Sequence, residues 1–133
     1  MTFKFTVCTL FAGIATSFNI FVTPPSEAAT AIARTKDRQS IFVVTLKNQR
    51  EAEKQAMAGC WNDHEVRGTN KKCILDEVAG PFEYVTIVEG PTGKNYPGIS
   101  AIENESINFA FQQCGLHHQS GCKFVFTNPP SGR

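Results

Sequence analysis

Residues 51–64, EAEKQAMAGCWNDH, and residues 105–118, ESINFAFQQCGLHH, decide the reading of this chain. Laid over one another without a gap they share the phrase E-[AS]-x3-A-x3-C-x3-H. Glu51 falls on Glu105, Ala52 on Ser106, Ala56 on Ala110, Cys60 on Cys114 and His64 on His118. Within each copy the small residues recur at three- and four-residue spacing, which gathers them on one face of a helix and lets that face lie close to a sheet. Asn48 with Glu51, and Ser100 with Glu103, have the form of a capping box. A helix is therefore expected from about residue 49 to 61 and again from Ser100, with Gly115 ending the second.

Outward from the helices, the same offset lays Ala31-Ile32-Ala33 on Val85-Thr86-Ile87 and Ile41-Phe42 on Asn95-Tyr96. Ala29 to Ala33, a polar turn and Ile41 to Leu46 read as a hairpin. In the second copy Phe82 to Val88, the turn Gly90-Pro91-Thr92-Gly93 and a short strand broken by Pro97-Gly98 repeat it, and the proline marks that strand as an edge. Each helix then leads to a further strand, from Cys73 and from Lys123. The sum is an α+β fold of duplicated β-β-α-β units, two helices packed on a largely antiparallel sheet. A unit that cannot bury its apolar face alone packs against its twin. Residues 29–127 form one duplicated domain, and residues 128–133 read as a flexible tail.

Cys60 and Cys114 each stand at a helix end, and Cys73 and Cys122 each at the start of the next strand. Equivalent halves should carry equivalent bonds, so the expected disulfides are Cys60–Cys73 and Cys114–Cys122. The competing reading is metal binding, because Cys-x3-His occurs at Cys60/His64 and at Cys114/His118, and thiolate with imidazole suits zinc. Disulfides are favoured because the chain opens like an exported one. Residues 1–28 hold Lys4, an apolar stretch from Phe5 to Val22 and small residues at Ser26 and Ala28, the order of a cleaved signal peptide, which would carry Cys8 away. Four cysteines remain in the mature chain, and an oxidising compartment consumes thiols.

The order Ala31-Ile32-Ala33, Glu51-Ala52-x3-Ala56-x3-Cys60 and Cys73, repeated through Glu105-Ser106-x3-Ala110-x3-Cys114 to Cys122, resembles the bacterial exported DUF4189 family over nearly all of the mature chain. The resemblance implies a signal-bearing protein without an agreed catalytic activity. This chain departs from the pattern at Tyr84, where many members have a further cysteine, and at Ile41 to Leu46, where others have an aromatic or glycine-rich strand.

The formal net charge is +1, with both signs mixed along the chain. Without a basic stripe, nucleic acid is a poor partner, and cleavage of the signal leaves no stable membrane insertion. No phosphate-binding loop or nucleophile elbow is complete: Gly90-Pro91-Thr92-Gly93-Lys94 lacks the flanking glycine and hydroxyl. The expected function is that of a secreted or periplasmic binding protein, an inhibitor, immunity-type or host-contacting protein, without a cofactor. Its partner would be a protein or envelope component, and the chain itself a monomer or small oligomer. Trp61, Tyr84 and Tyr96 are the candidate binding residues if exposed, since aromatic side chains dominate interface energetics, with core packing the competing role. The alternative is a small envelope hydrolase or metal-dependent enzyme using His64 and His118.

Overall fold

The structure is a computed structural model that describes residues 27–63 and 66–132. Nearly all of the expected signal, together with His64 and Arg133, lies outside the described residues. The element order is β1 (Ala29–Thr35), β2 (Ile41–Leu46), α1 (Gln49–Asn62), β3 (Cys73–Ala79), β4 (Tyr84–Glu89), β5 (Asn95–Ser100), α2 (Glu103–Gly115) and β6 (Lys123–Asn128). The repeated β-β-α-β order is present. The strands form two three-stranded antiparallel sheets, β2-β1-β3 and β5-β4-β6, one from each half of the chain.

Strand alternation explains how the halves join. Successive side chains leave a strand on opposite faces. Ala31 and Ala33 of β1 turn toward α1, where they meet Ala52, Ala56 and Cys60. Ile32 turns the other way and packs with Val85 and Ile87 of the second sheet, joined by Ile41, Val43, Ile99 and Phe126. On the far face of that sheet Val88 and Tyr96 meet Ala110 and Cys114 of α2. The result is four layers: α1, first sheet, second sheet, α2. Between the two sheets, full burial of Ile32, Val85 or Ile87 is worth about 1.5–3 kcal/mol each.

The duplication is real but contains a one-residue slip. Each half has a β-bulge between its first and third strands, at Ile32/Ala33 and at Ile87/Val88. Ala31-Ile32-Ala33 therefore corresponds to Thr86-Ile87-Val88, not to Val85-Thr86-Ile87 as the gapless alignment expects. The turn after β4 is shorter by the residue that restores the register: Arg34 pairs with Ile41, whereas Glu89 pairs with Asn95. A slip of one exchanges the faces of a strand. Without it, Thr86 would sit between the sheets and Val85 under α2.

The helix starts differ from each other. Asn48 caps α1, its Oδ1 accepting the Glu51 N–H at 3.0 Å. Ser100 does not cap α2: it ends β5, and Ile102 occupies the cap position with no side-chain cap bond. The Ser100 hydroxyl instead accepts the Ile102 N–H at 3.2 Å and donates to Glu105 Oε1 at 3.0 Å. Ile102 is the aligned counterpart of Asn48, so the two helices begin at the same place and only one kept a capping side chain. Gly115 ends α2 as expected, in helical rather than left-handed geometry.

The C-terminal residues are held rather than loose. Asn128 completes β6 and its Nδ2 donates to Thr45 Oγ1 at 2.7 Å, tying the two sheets together. Pro130 is buried, and the Gly132 N–H donates to the Pro81 carbonyl at 2.7 Å.

The disulfides are Cys60–Cys73 and Cys114–Cys122, each returning the chain from a helix end to an edge strand. For these sequence separations of 13 and 8, loop-closure entropy gives about 3 and 2.6 kcal/mol.

Candidate functional site

The best-defined polar cluster forms around Tyr96. The first β5 residues lie beside the β1–β2 turn, and Arg38 binds across the gap between them. Its carbonyl accepts the Asn95 N–H at 2.9 Å and Asn95 Nδ2 at 3.1 Å, and its own guanidinium donates to the Asn95 carbonyl at 3.3 Å. Arg38 adopts φ 66°, a left-handed conformation that a non-glycine residue holds only where surrounding contacts fix it. The guanidinium carbon lies 5.2 Å from the Tyr96 ring centre, within cation–π range.

From the turn that follows α2, His117 stacks on Tyr96 with ring centres 5.4 Å apart, and the Tyr96 hydroxyl meets His118 Nε2 at 3.1 Å. Gly90 makes room for the imidazole, since a Cβ there would stand 2.9 Å from His118 Nε2. The cluster therefore knits three elements together. Tyr96 itself is 2% exposed, so it belongs to the core and offers little surface to a partner.

The expected aromatic residues do not converge. Tyr84 pairs with Ser100 and Val88 with Tyr96, so the two tyrosines are about 13 Å apart along the sheet. Tyr84 is half-buried, and Trp61 is exposed at the end of α1 in the other half. The Cys-x3-His metal set loses its thiolates, because all four sulfurs are in disulfides. His64 lies outside the described residues, and His118 shares its Nε2 with Tyr96. Among the described residues no cluster of three or more histidine, cysteine or carboxylate side chains has metal-holding geometry.

A surface that single-residue reading missed lies on α2. Its inner face is Ser106, Ala110 and Cys114, while Phe111 is exposed. Ile102, Phe109 and Leu116 follow at seven-residue intervals and are 56%, 41% and 75% exposed. Phe109 lies within α2 and Leu116, still helical in backbone at the C-cap, returns to within about 20° of its direction, while Ile102 is the extended N-cap residue at the start of the same helix. The aligned residues of the first half are Asn48, Gln55 and Asn62, all polar. The two helices share their buried face and differ on the outer one. The seven-residue spacing, compared with its polar counterparts, was the signal available in the sequence.

Charge is distributed around the first sheet. Asp37 sits in the β1–β2 turn. Its carboxyl is held below the usual range, first by the Thr35 hydroxyl that donates to it at 2.7 Å, then by the Gln39 N–H, with Lys71 adding to these. Arg34 and Asp76 pair at 3.0 Å on β1 and β3. Beside them the Glu77 carboxyl is pushed above its ordinary value, chiefly by desolvation and then by Asp76, with Arg38 opposing and Glu83 adding to the rise. No helix among the described residues is long and apolar enough to cross a membrane.

No protein-family model, curated protein or solved structure matches this chain.

Proposed function

We propose that this chain is a secreted or periplasmic binding protein, and that the outer line of α2 is the surface that receives its partner. The observation that carries the reading is the asymmetry of the duplicate. At three aligned positions the first helix presents Asn48, Gln55 and Asn62 and the second presents exposed Ile102, Phe109 and Leu116. Exposed apolar side chains aligned on one element favour a macromolecular partner with an apolar surface of its own, a protein or an envelope component. Two disulfides in a small domain agree with an oxidising compartment.

The test copies the first half onto the second. Immobilised wild type and a Phe109→Gln/Leu116→Asn variant are exposed to cell-envelope and host extracts. A species retained by the wild type and lost from the variant, with equal melting of both, is the expected result. Identical retention by both would overturn the reading. His118→Ala addresses the enzymatic alternative, since an activity abolished at unchanged stability would move the function to the Tyr96–His118 contact.

A further inference from the structure

We infer that this protein self-associates through the outer edge of β2, which pairs antiparallel with β2 of a second copy. The inference rests on the four sheet edges and is independent of the partner of α2.

The direction of the free hydrogen-bonding groups follows from the ladder. The Thr35 N–H donates to the Ser40 carbonyl at 3.0 Å, so Thr35 and Ser40 form a bonded pair. Bonded and non-bonded pairs alternate in antiparallel strands. Ala33/Phe42 and Ala31/Val44 are then bonded, while Arg34/Ile41, Ile32/Val43 and Thr30/Thr45 are not. The N–H and C=O groups of Ile41, Val43 and Thr45 therefore point away from β1, on the side where no other described strand pairs.

Exposed edges invite intermolecular pairing, and proteins blunt them with proline, charge or bulges. Three edges of this fold are blunted. On β5 the same alternation, set by the Gly90 N–H to Lys94 carbonyl bond at 2.8 Å, turns positions 95, 97 and 99 outward. There the Asn95 N–H is taken by Arg38, and Pro97 has none. β3 has its bulge and the charged Asp76 and Glu77, and β6 has its bulge and Lys123. β2, Ile41-Phe42-Val43-Val44-Thr45-Leu46, has no proline, charge or bulge. Val43 stands at the position aligned with Pro97.

A second copy fits this edge because the strand is self-complementary. A twofold axis at Val43 places Val43 opposite its own equivalent and Phe42 opposite Val44, an apolar pairing on each face, with Ile41 opposite Thr45 at the ends. The outward N–H groups of residues 41, 43 and 45 in each chain meet outward carbonyls of the other. Extending the register sets Lys47 against Gln39, so no like charges face each other. The first sheets of the two copies would join into one six-stranded sheet.

The test combines sedimentation of the exported chain with amide exchange at Ile41, Val43 and Thr45. The expected result is a dimer whose three amides exchange about tenfold or more slowly than in the diluted, monomeric protein. Val43→Pro, which copies Pro97 into the matching place, should yield a monomer that still melts cooperatively. If that variant fails to fold, the concentration dependence of the wild-type amides decides the matter. Three results would overturn the inference: a monomer at all concentrations, a dimer whose β2 amides stay fast, or a dimer lost in Phe109→Gln/Leu116→Asn and kept in Val43→Pro.

Discussion

Removing the Ser106 hydroxyl should damage this protein, and removing a second hydroxyl should then partly repair it. Under α2 three side chains form a hydrogen-bonded chain: Thr127 and Thr86 at 2.9 Å, Thr86 and Ser106 at 2.7 Å, and Ser106 to the Glu103 carbonyl at 2.7 Å. Each hydroxyl has one proton, so the last bond fixes the direction. Thr127 donates to Thr86, Thr86 to Ser106, and Ser106 to the backbone. The corresponding residues of the first half are Val78, Ala31 and Ala52, which occupy the same places as an apolar set. Three contacting positions have thus diverged together. Thr127→Val removes the half-buried end of the chain and should cost under about 1 kcal/mol. In that background Ser106→Ala leaves the fully buried Thr86 proton without an acceptor, at about 1–3 kcal/mol. Adding Thr86→Val removes the stranded donor, and the triple variant should return to within about 1 kcal/mol of Thr127→Val alone. Urea unfolding with the disulfides intact provides the cycle, with an unchanged slope as the check on two-state behaviour. Costs of Ser106→Ala and Thr86→Val that simply add would refute the directed chain.

Gly98→Ala should be among the most damaging surface-distant changes, because a Cβ at Gly98 would collide with the Ser106 carbonyl and the Ala110 N of α2. A loss of about 1–3 kcal/mol, with faster amide exchange in α2, is expected. Tyr96→Phe should cost about 0.5–1.5 kcal/mol in urea unfolding through the lost His118 bond, and the aligned Phe42 shows that the fold itself accepts phenylalanine there. Glu77→Gln should stabilise the protein at pH 7. A carboxyl raised in the folded state binds its proton more tightly there, so its destabilising effect appears above the ordinary glutamate range and fades as pH falls toward it. Because the residue is exposed, the gain should stay below about 1 kcal/mol, and melting at pH 7 and about pH 4 should show the difference closing.

The α+β class, the repeated order of elements and both disulfides were legible because each leaves a local mark: small residues at helical spacing, a capping asparagine, cysteines at the same joints twice. The division into two sheets left none, since hydrogen-bonded neighbours and stacked neighbours demand the same alternation of side chains. The one-residue slip was hidden for a related reason. Val85-Thr86-Ile87-Val88 offers apolar residues on both faces, and only the bulge position tells which face Thr86 occupies. The C-terminal Asn-Pro-Pro-Ser-Gly reads as loose because its docking depends on Pro81 and Thr45, distant in sequence. Burial of Tyr96 decides between the two roles the sequence offered it, and the exposed apolar residues of α2 were legible only by comparing the aligned positions of the two halves.

The protein consists of two stacked half-domains, each closed by its own disulfide, and digestion with trypsin under non-reducing conditions reads this out. Cleavage after Lys54, Arg67, Lys72, Lys94 and Lys123 gives peptides 55–67, 73–94 and 95–123. The expected products are 55–67 linked to 73–94 through Cys60–Cys73, and 95–123 alone, lighter by two hydrogens through Cys114–Cys122. A link from 95–123 to either of the other peptides would contradict this arrangement.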